Sequence, residues 1–200
     1  MGRKSIERVR KDLTPKAKTW VRDLVPLLQD KALDKLTLDE LAELMGKSKS
    51  TIYSYFSTKE EIYQTAVQLI LDDMIFVISS KATDGDDMEA VLRTMLMKIG
   101  EGIEGISISF LEQIQSHFPE VWSIIQHFTD KLLDNFEVIY KVGMQEGTFR
   151  RFNLELLLAL DQHFIMSIMT DAQKFKGHGM SLNDLVTEYL ELRFSALKNK

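Results

Sequence analysis

Apolar residues recur along the chain at intervals of three and four, and no stretch sustains the polar–apolar alternation of a strand. The pattern predicts an all-α protein of about nine helices, and capping chemistry marks where they begin. Thr14 before Pro15 reads as an N-cap with proline at the first helical position, where its missing N–H costs nothing. Trp20, Leu24, Leu27 and Leu28 follow on one face, and Pro26 within that pattern predicts a kink. Thr37 to Glu40 has the form of a capping box, with Leu36 and Leu41 as its hydrophobic staple, and Gly46 ends the short helix that it opens. Ser48 caps a third helix, and Thr58 with Glu61 forms the box of a fourth, about residues 59–80, which becomes strongly apolar from Leu69 to Ile78. A helix, a two-turn helix, a glycine turn and another short helix make a helix-turn-helix.

Further along, Asp86 with Glu89 opens a helix through Met88, Val91, Leu92, Met95, Leu96 and Ile99, and "GEGIEG" is expected to break it. A shorter helix carries Phe110, Leu111 and Ile114, and Pro119 starts a long one through Trp122, Ile125, Phe128, Leu132, Phe136 and Tyr140. "GMQEGTFR" is a turn, after which Asn153 and Ser181 cap the last two helices. Both have wide apolar stripes. Leu157, Phe164 and Ile168 on one and Leu185 and Tyr189 on the other are candidates for a homodimer interface, because such stripes would leave large exposed patches on a monomer.

The third helix has an unusual composition. "KSKSTIYSYF", residues 47–56, holds hydroxyls, lysines and aromatics, with Ile52 its one aliphatic residue. Helical spacing turns Ile52 and Phe56 inward. Lys49, Ser50, Tyr53 and Ser54 then face out, with Thr51 and Tyr55 on the flanks. A face of lysine, hydroxyl and phenol groups without a carboxylate suits phosphate oxygens and base edges.

Charge supports that use. The net charge is −5, but residues 1–60 hold 13 Lys or Arg against 9 Asp or Glu, whereas residues 61–200 hold 12 against 21. A basic head on an acidic body fits a polyanion-binding module on a carrier. It predicts a DNA-binding unit over 1–60, with a basic arm at 1–13, and a helical body over 61–200. The arm residues Arg3, Lys4, Arg8, Arg10 and Lys11 are placed to reach phosphates or the minor groove. The first residues lack the apolar core of a signal peptide and no apolar run spans a membrane, so a cytoplasmic location and no membrane partner are expected.

Residues 36–63, "LTLDELAELMGKSKSTIYSYFSTKEEIY", resemble the DNA-binding segment of TetR-family transcriptional regulators. The resemblance rests on Thr37, Gly46, Ser48, Lys49, Thr51, Ile52, Tyr53, Tyr55, Phe56 and the run Thr58 to Ile62. It implies that Thr37, Ser48, Lys49, Ser50, Thr51, Tyr53, Ser54 and Tyr55 face a double-stranded operator and that Lys59 binds a phosphate. It also implies a homodimeric regulator, most often a repressor, released from a pseudopalindromic operator by a small molecule bound among the central helices.

Ten methionines and eleven phenylalanines suit an adaptable apolar pocket. Its candidate residues are Met95, Phe110, Gln113, His117, Trp122, His127 and His163. No buried arginine or lysine declares itself from the sequence, which favours an apolar or amphipathic effector. Catalysis is not expected. There is no cysteine, and none of the four histidines stands at a metal-ligand spacing, so no cofactor or metal is called for. Two readings compete with a regulator: an architectural DNA-binding protein without an effector, and a small helical enzyme with paired carboxylates or a metal in its pocket.

Overall fold

Thr14 accepts a hydrogen bond from the Ala17 N–H at 3.2 Å and so opens α1, Pro15–Leu28. A computed structural model describes residues 10–78, 87–103, 105–170, 179 and 181–198, without the side chains of 75–78, 168–170 and 182–183. α1 continues two residues past Pro26 and buries Ala17, Val21, Leu24, Val25 and Leu28. Leu27 points outward, 46% exposed, because Val21 and Val25 rather than Leu27 complete the buried stripe.

α2, Leu38–Leu44, opens with the full capping box of Thr37 and Glu40. It closes when the Lys47 N–H reaches the Ala42 carbonyl and the Gly46 N–H reaches the Glu43 carbonyl, both at 2.9 Å. That closure needs a left-handed residue, and Gly46 supplies it at φ +63°. α3, Lys49–Tyr53, follows its cap Ser48. α4, Lys59–Ile78, is capped by the Thr58 hydroxyl, which accepts from the Glu61 N–H at 3.3 Å. The expected reciprocal bond is displaced by one residue: the Glu61 carboxylate accepts from the Ser57 N–H at 2.6 Å.

α5, Met88–Ile103, is capped by Asp87 rather than by Asp86, which lies outside the described residues. The helix runs on through Gly100 and Gly102 and ends inside "GEGIEG", at Ile103, before the left-handed Gly105. Gly102 is there for contact: a Cβ on it would sit 2.5 Å from the Met74 side chain of α4. α6, Ile108–His117, and the long α7, Pro119–Glu146, follow. α7 ends at Gly147, φ +81°, and the chain folds back so that Phe149 packs on Gly143, where a Cβ would lie 2.2 Å from its ring. α8, Leu154–Thr170, and α9, Leu182–Leu197, complete nine helices among the described residues.

α4 is the central element. It packs against α1 on the head side and against α5 and α7 in the body, α7 also meets α8, and α9 lies on α5. One continuous buried cluster extends from Val21 of α1 to Leu197 of α9, and position 60 falls in the first turn of α4. Among the described residues no helix is long and apolar enough to cross a membrane.

Candidate DNA-binding face and internal cavity

α3 is five residues long and depends on its surroundings for its pose. Ile52, fully buried, and Phe56, 2% exposed, anchor it to the head's core. Ser48 caps it through the Thr51 N–H at 3.2 Å and touches the hydroxyls of Ser50 and Thr51 at 3.1 and 2.8 Å. The outward side brings together Ser48, Lys49, Ser50 and Tyr53, all exposed. Thr51, Ser54 and Tyr55 are partly covered: the Ser54 hydroxyl donates to the Thr51 carbonyl at 2.7 Å, and Tyr55 sets an edge against Trp20 with ring centres 6.1 Å apart. Lys47 caps that aromatic pair, its ammonium 4.9 Å from the Trp20 ring centre. The Thr37 hydroxyl is committed to Glu40, 2.7 Å away.

Two expectations are corrected at this face. Lys59 does not point outward. Its ammonium donates to the Asp34 carbonyl at 2.5 Å and the Leu33 carbonyl at 3.3 Å, because those groups follow the end of α1 and need donors. The exposed face is also not free of carboxylates. Asp39 of α2 accepts from Lys49 Nζ at 2.5 Å and from the Tyr53 hydroxyl at 3.2 Å. The bond from Lys49, first, holds the Asp39 carboxyl below the ordinary carboxylate range. At the end of the arm the Lys11 N–H donates to the Ser54 carbonyl at 3.0 Å and Arg10 pairs with Glu61 at 3.0 Å. Arg3, Lys4 and Arg8 lie outside the described residues.

Behind the head, α4 to α9 line a partly open cavity of about 150 Å³. Its wall is almost wholly apolar, with Leu71, Met74, Phe110, Phe128, Phe136 and Phe164 among the lining residues. Of the side chains expected there, only Phe110 lines it. His117, His127 and His163 are exposed on outer helix faces, Met95 and Trp122 are buried elsewhere in the core, and Gln113 serves a different purpose. Phe164 and Tyr189, expected at a subunit interface, stack face to face with ring centres 3.6 Å apart and line the cavity. Leu157 and Leu185 are likewise turned inward, 8% and 7% exposed, and the side chain of Ile168 lies outside the described residues. The outward leucines of α8 and α9 are Leu156, Leu160 and Leu192, at 59%, 49% and 69%.

A buried ionic cluster backs one wall. Asp161, 1% exposed, accepts from the Tyr140 hydroxyl at 3.0 Å, the Tyr189 hydroxyl at 2.5 Å and Arg193 Nη2 at 2.6 Å. Arg193 also donates to the Leu157 carbonyl at 3.0 Å, so the cluster ties α7, α8 and α9 together. Burial, and then the Asp161 charge, push the Tyr140 phenol well above its usual range. Burial, and then the hydrogen bond to Asp161, do the same for Tyr189. A partly buried arginine that the sequence did not single out is therefore present, with its charge matched inside the protein. The available signal was Asp161 in the apolar stripe of α8, one turn from Leu157 and from Ile165.

Head and cavity are joined through α6. On one side Phe110 and Leu111 of α6 line the cavity. On the other, Gln113 accepts from the Leu33 N–H at 2.6 Å and donates to the Lys31 carbonyl at 2.7 Å. At its N-terminus the Ser107 hydroxyl donates to the Gln29 carbonyl at 2.9 Å, while the Ser107 N–H donates to Gln29 Oε1 at 2.6 Å. Arg22 of α1 adds a two-pronged pair with Asp73 of α4, at 2.9 and 3.0 Å. Among the described residues no group of three His, Cys, Asp or Glu side chains is arranged to hold a metal ion.

Known proteins agree with this architecture. Residues 25–66 match the family described as bacterial regulatory proteins, tetR family. The chain is 22% identical over 163 residues to the uncharacterised HTH-type transcriptional regulator YvaF of Bacillus subtilis, covering 80% of this chain and 85% of YvaF. It is 23% identical over 160 residues to IcaR of Staphylococcus aureus, the HTH-type negative transcriptional regulator of the biofilm operon icaADBC, covering 78% and 84%. The structure of the regulator FadR from Bacillus subtilis in complex with stearoyl-CoA superposes with a TM-score of 0.62 at 19% identity, covering 89% of this chain and 97% of FadR.

Proposed function

Because this chain belongs to the TetR family of bacterial regulatory proteins, we propose that it is a homodimeric transcriptional repressor that leaves a pseudopalindromic operator when a small apolar molecule enters its cavity. The observation that carries the reading is α6, which lines the cavity with Phe110 and grips the head through Ser107 at the end of α1 and Gln113 at the α1–α2 connection. A guest that shifts α6 then shifts the head, and it can do so only through its different affinity for the two positions. Repression is favoured by the likeness to IcaR, a negative regulator, and an internal ligand by the likeness to FadR, solved with stearoyl-CoA.

Size and lining narrow the guest. A cavity of about 150 Å³ lined by leucine, isoleucine and phenylalanine is the kind that holds a molecule of benzene's size in another protein. Arg193 is already matched by Asp161, so an anion gains no partner there. The guest is neutral, apolar and about one ring in size, unless the wall widens. Dimerisation is assigned to the outward Leu156, Leu160 and Leu192, since the neighbouring Leu157 and Leu185 are spent on this chain's own core.

The test begins with duplexes recovered from a random-sequence library by the purified protein. They should carry two half-sites about one helical turn apart, 10–10.5 bp centre to centre. Lys49→Ala and Tyr53→Ala should weaken binding without loss of helix content. Neutral single-ring compounds that raise the melting temperature should release these duplexes. Recovery of unrelated sequences, with no compound affecting binding, would favour the architectural reading instead.

A further inference from the structure

The face assigned above to DNA contains one acidic side chain joined to two of its readers. Asp39 stands in the first turn of α2, and its carboxylate bridges residues one turn apart on α3: Oδ2 to Lys49 Nζ at 2.5 Å and Oδ1 to the Tyr53 hydroxyl at 3.2 Å. An exposed ion pair contributes little to stability, and this one is exposed on both sides, 66% for Lys49 and 41% for Asp39. Its effect falls instead on whatever Lys49 and Tyr53 meet.

We propose that Asp39 is a specificity-determining positioning residue, which holds Lys49 and Tyr53 in a reading pose and cancels the charge that would make Lys49 a general phosphate binder. The proposal rests on the DNA-binding reading of α3. A free lysine that neutralises one phosphate releases counterions and adds about 0.9 to the salt slope. Paired with Asp39, Lys49 brings no net charge to the backbone, so a phosphate contact gains only after the ion pair is broken. A base edge is different. An ammonium has three donors, and with one on Asp39 two remain for an acceptor pair such as guanine O6 and N7. The Tyr53 hydroxyl, donating to Asp39, keeps its lone pairs for a base amino group. The carboxylate also fixes two long side chains before DNA arrives, so their ordering is not charged to binding. Glu43, the other acidic group that acts on Lys49, adds to the same bias from one turn further along α2.

Asp39→Asn removes the charge and keeps the shape. The probes are a random-sequence duplex pool and the duplexes that the wild-type protein selects from a random library, both titrated between 0.1 and 1 M salt. Affinity for the random pool should rise roughly eightfold at 0.1 M salt, the value that one added contact of slope 0.9 gives over that range. The salt slope should steepen by about 0.9, and preference for selected over random duplex should fall at least threefold. In a Lys49→Gln background the same Asp39→Asn change should leave both slope and preference where Lys49→Gln alone puts them. An equal gain in that background would mean that Asp39 merely repels phosphates, and the proposal would fail. Unchanged slope and preference in the single variant, at an unchanged melting temperature, would overturn it too. A wild-type protein that binds no duplex would remove the DNA-binding reading and this inference together.

Discussion

Asp161→Ala should be the most damaging single polar-to-apolar change in the body. It deletes the acceptor of two phenol hydroxyls and the partner of Arg193, whose side chain is only 14% exposed. Arg193 would keep the Leu157 carbonyl and the Tyr189 oxygen, neither of which balances its charge. Breaking a buried pair from one side costs about 3–5 kcal/mol, because a charge remains without compensation. For a chain of 200 residues each kcal/mol is worth about 2–4 °C in melting temperature, so a fall of roughly 10 °C is expected. Replacing both partners, Asp161→Leu with Arg193→Met, removes the charge with its partner and should recover more than half of that loss. The assay is thermal unfolding followed by circular dichroism, at one fixed protein concentration so that self-association does not move the midpoint. A fall below 3 °C for Asp161→Ala, or a double variant no better than the single, would refute the account of the cluster as a matched pair.

Four other outcomes are expected. Leu156→Glu with Leu160→Glu should give a folded monomer by sedimentation, whereas Leu157→Glu, one position away but buried, should unfold the chain. Gly143→Ala should lower stability by about 1–3 kcal/mol in denaturant melts, because its methyl meets the Phe149 ring 2.2 Å away. Gln113→Ala should leave the fold intact but speed amide exchange at Leu33 at least tenfold, since the acceptor of that N–H is lost. Finally, the phenols of Tyr63, Tyr140 and Tyr189 are pushed up chiefly by burial, so the folded chain keeps protons that the unfolded chain releases above about pH 10. Their contribution is complete below that pH and should be lost above it by up to about 1.4 kcal/mol per pH unit for each group, read from melts between pH 9 and 11.

The head was legible because its signals are local. Thr14, Thr37, Ser48 and Gly46 act within three residues of themselves, so caps and turn follow from spacing alone. The inward side of α3 was legible for the same reason, since Ile52 and Phe56 are its strongly apolar inward residues. The cavity was not. In a body several helices thick, an apolar stripe can face the cavity, the core beside it or a second subunit, and periodicity does not separate these. Hence Phe110, expected at the cavity, lines it, while of the stripe residues expected at a subunit interface Leu157 and Leu185 are buried in this chain's own core and Phe164 and Tyr189 line the cavity. The contacts of Gln113 with residues 31 and 33 span about eighty positions and have no local signature. Lys59 illustrates a further limit, because its partners are backbone carbonyls, which every residue carries.

The grip of α6 on α1 bears on how such a protein can be recombined. The α1–α2 connection takes partners for Lys31 and Leu33 from Gln113, and the Leu33 carbonyl takes the Tyr63 hydroxyl of α4 at 3.1 Å. A chimera that transplants residues 10–58 onto a foreign body would leave those backbone groups facing whatever side chains the new host presents. To keep its own pose under a new host's control, the transplanted head must bring Tyr63, Ser107 and Gln113 with it, though two of these lie far outside the head in the sequence. The grafting unit is thus set by where α1's backbone is satisfied, and not by the stretch that resembles other regulators.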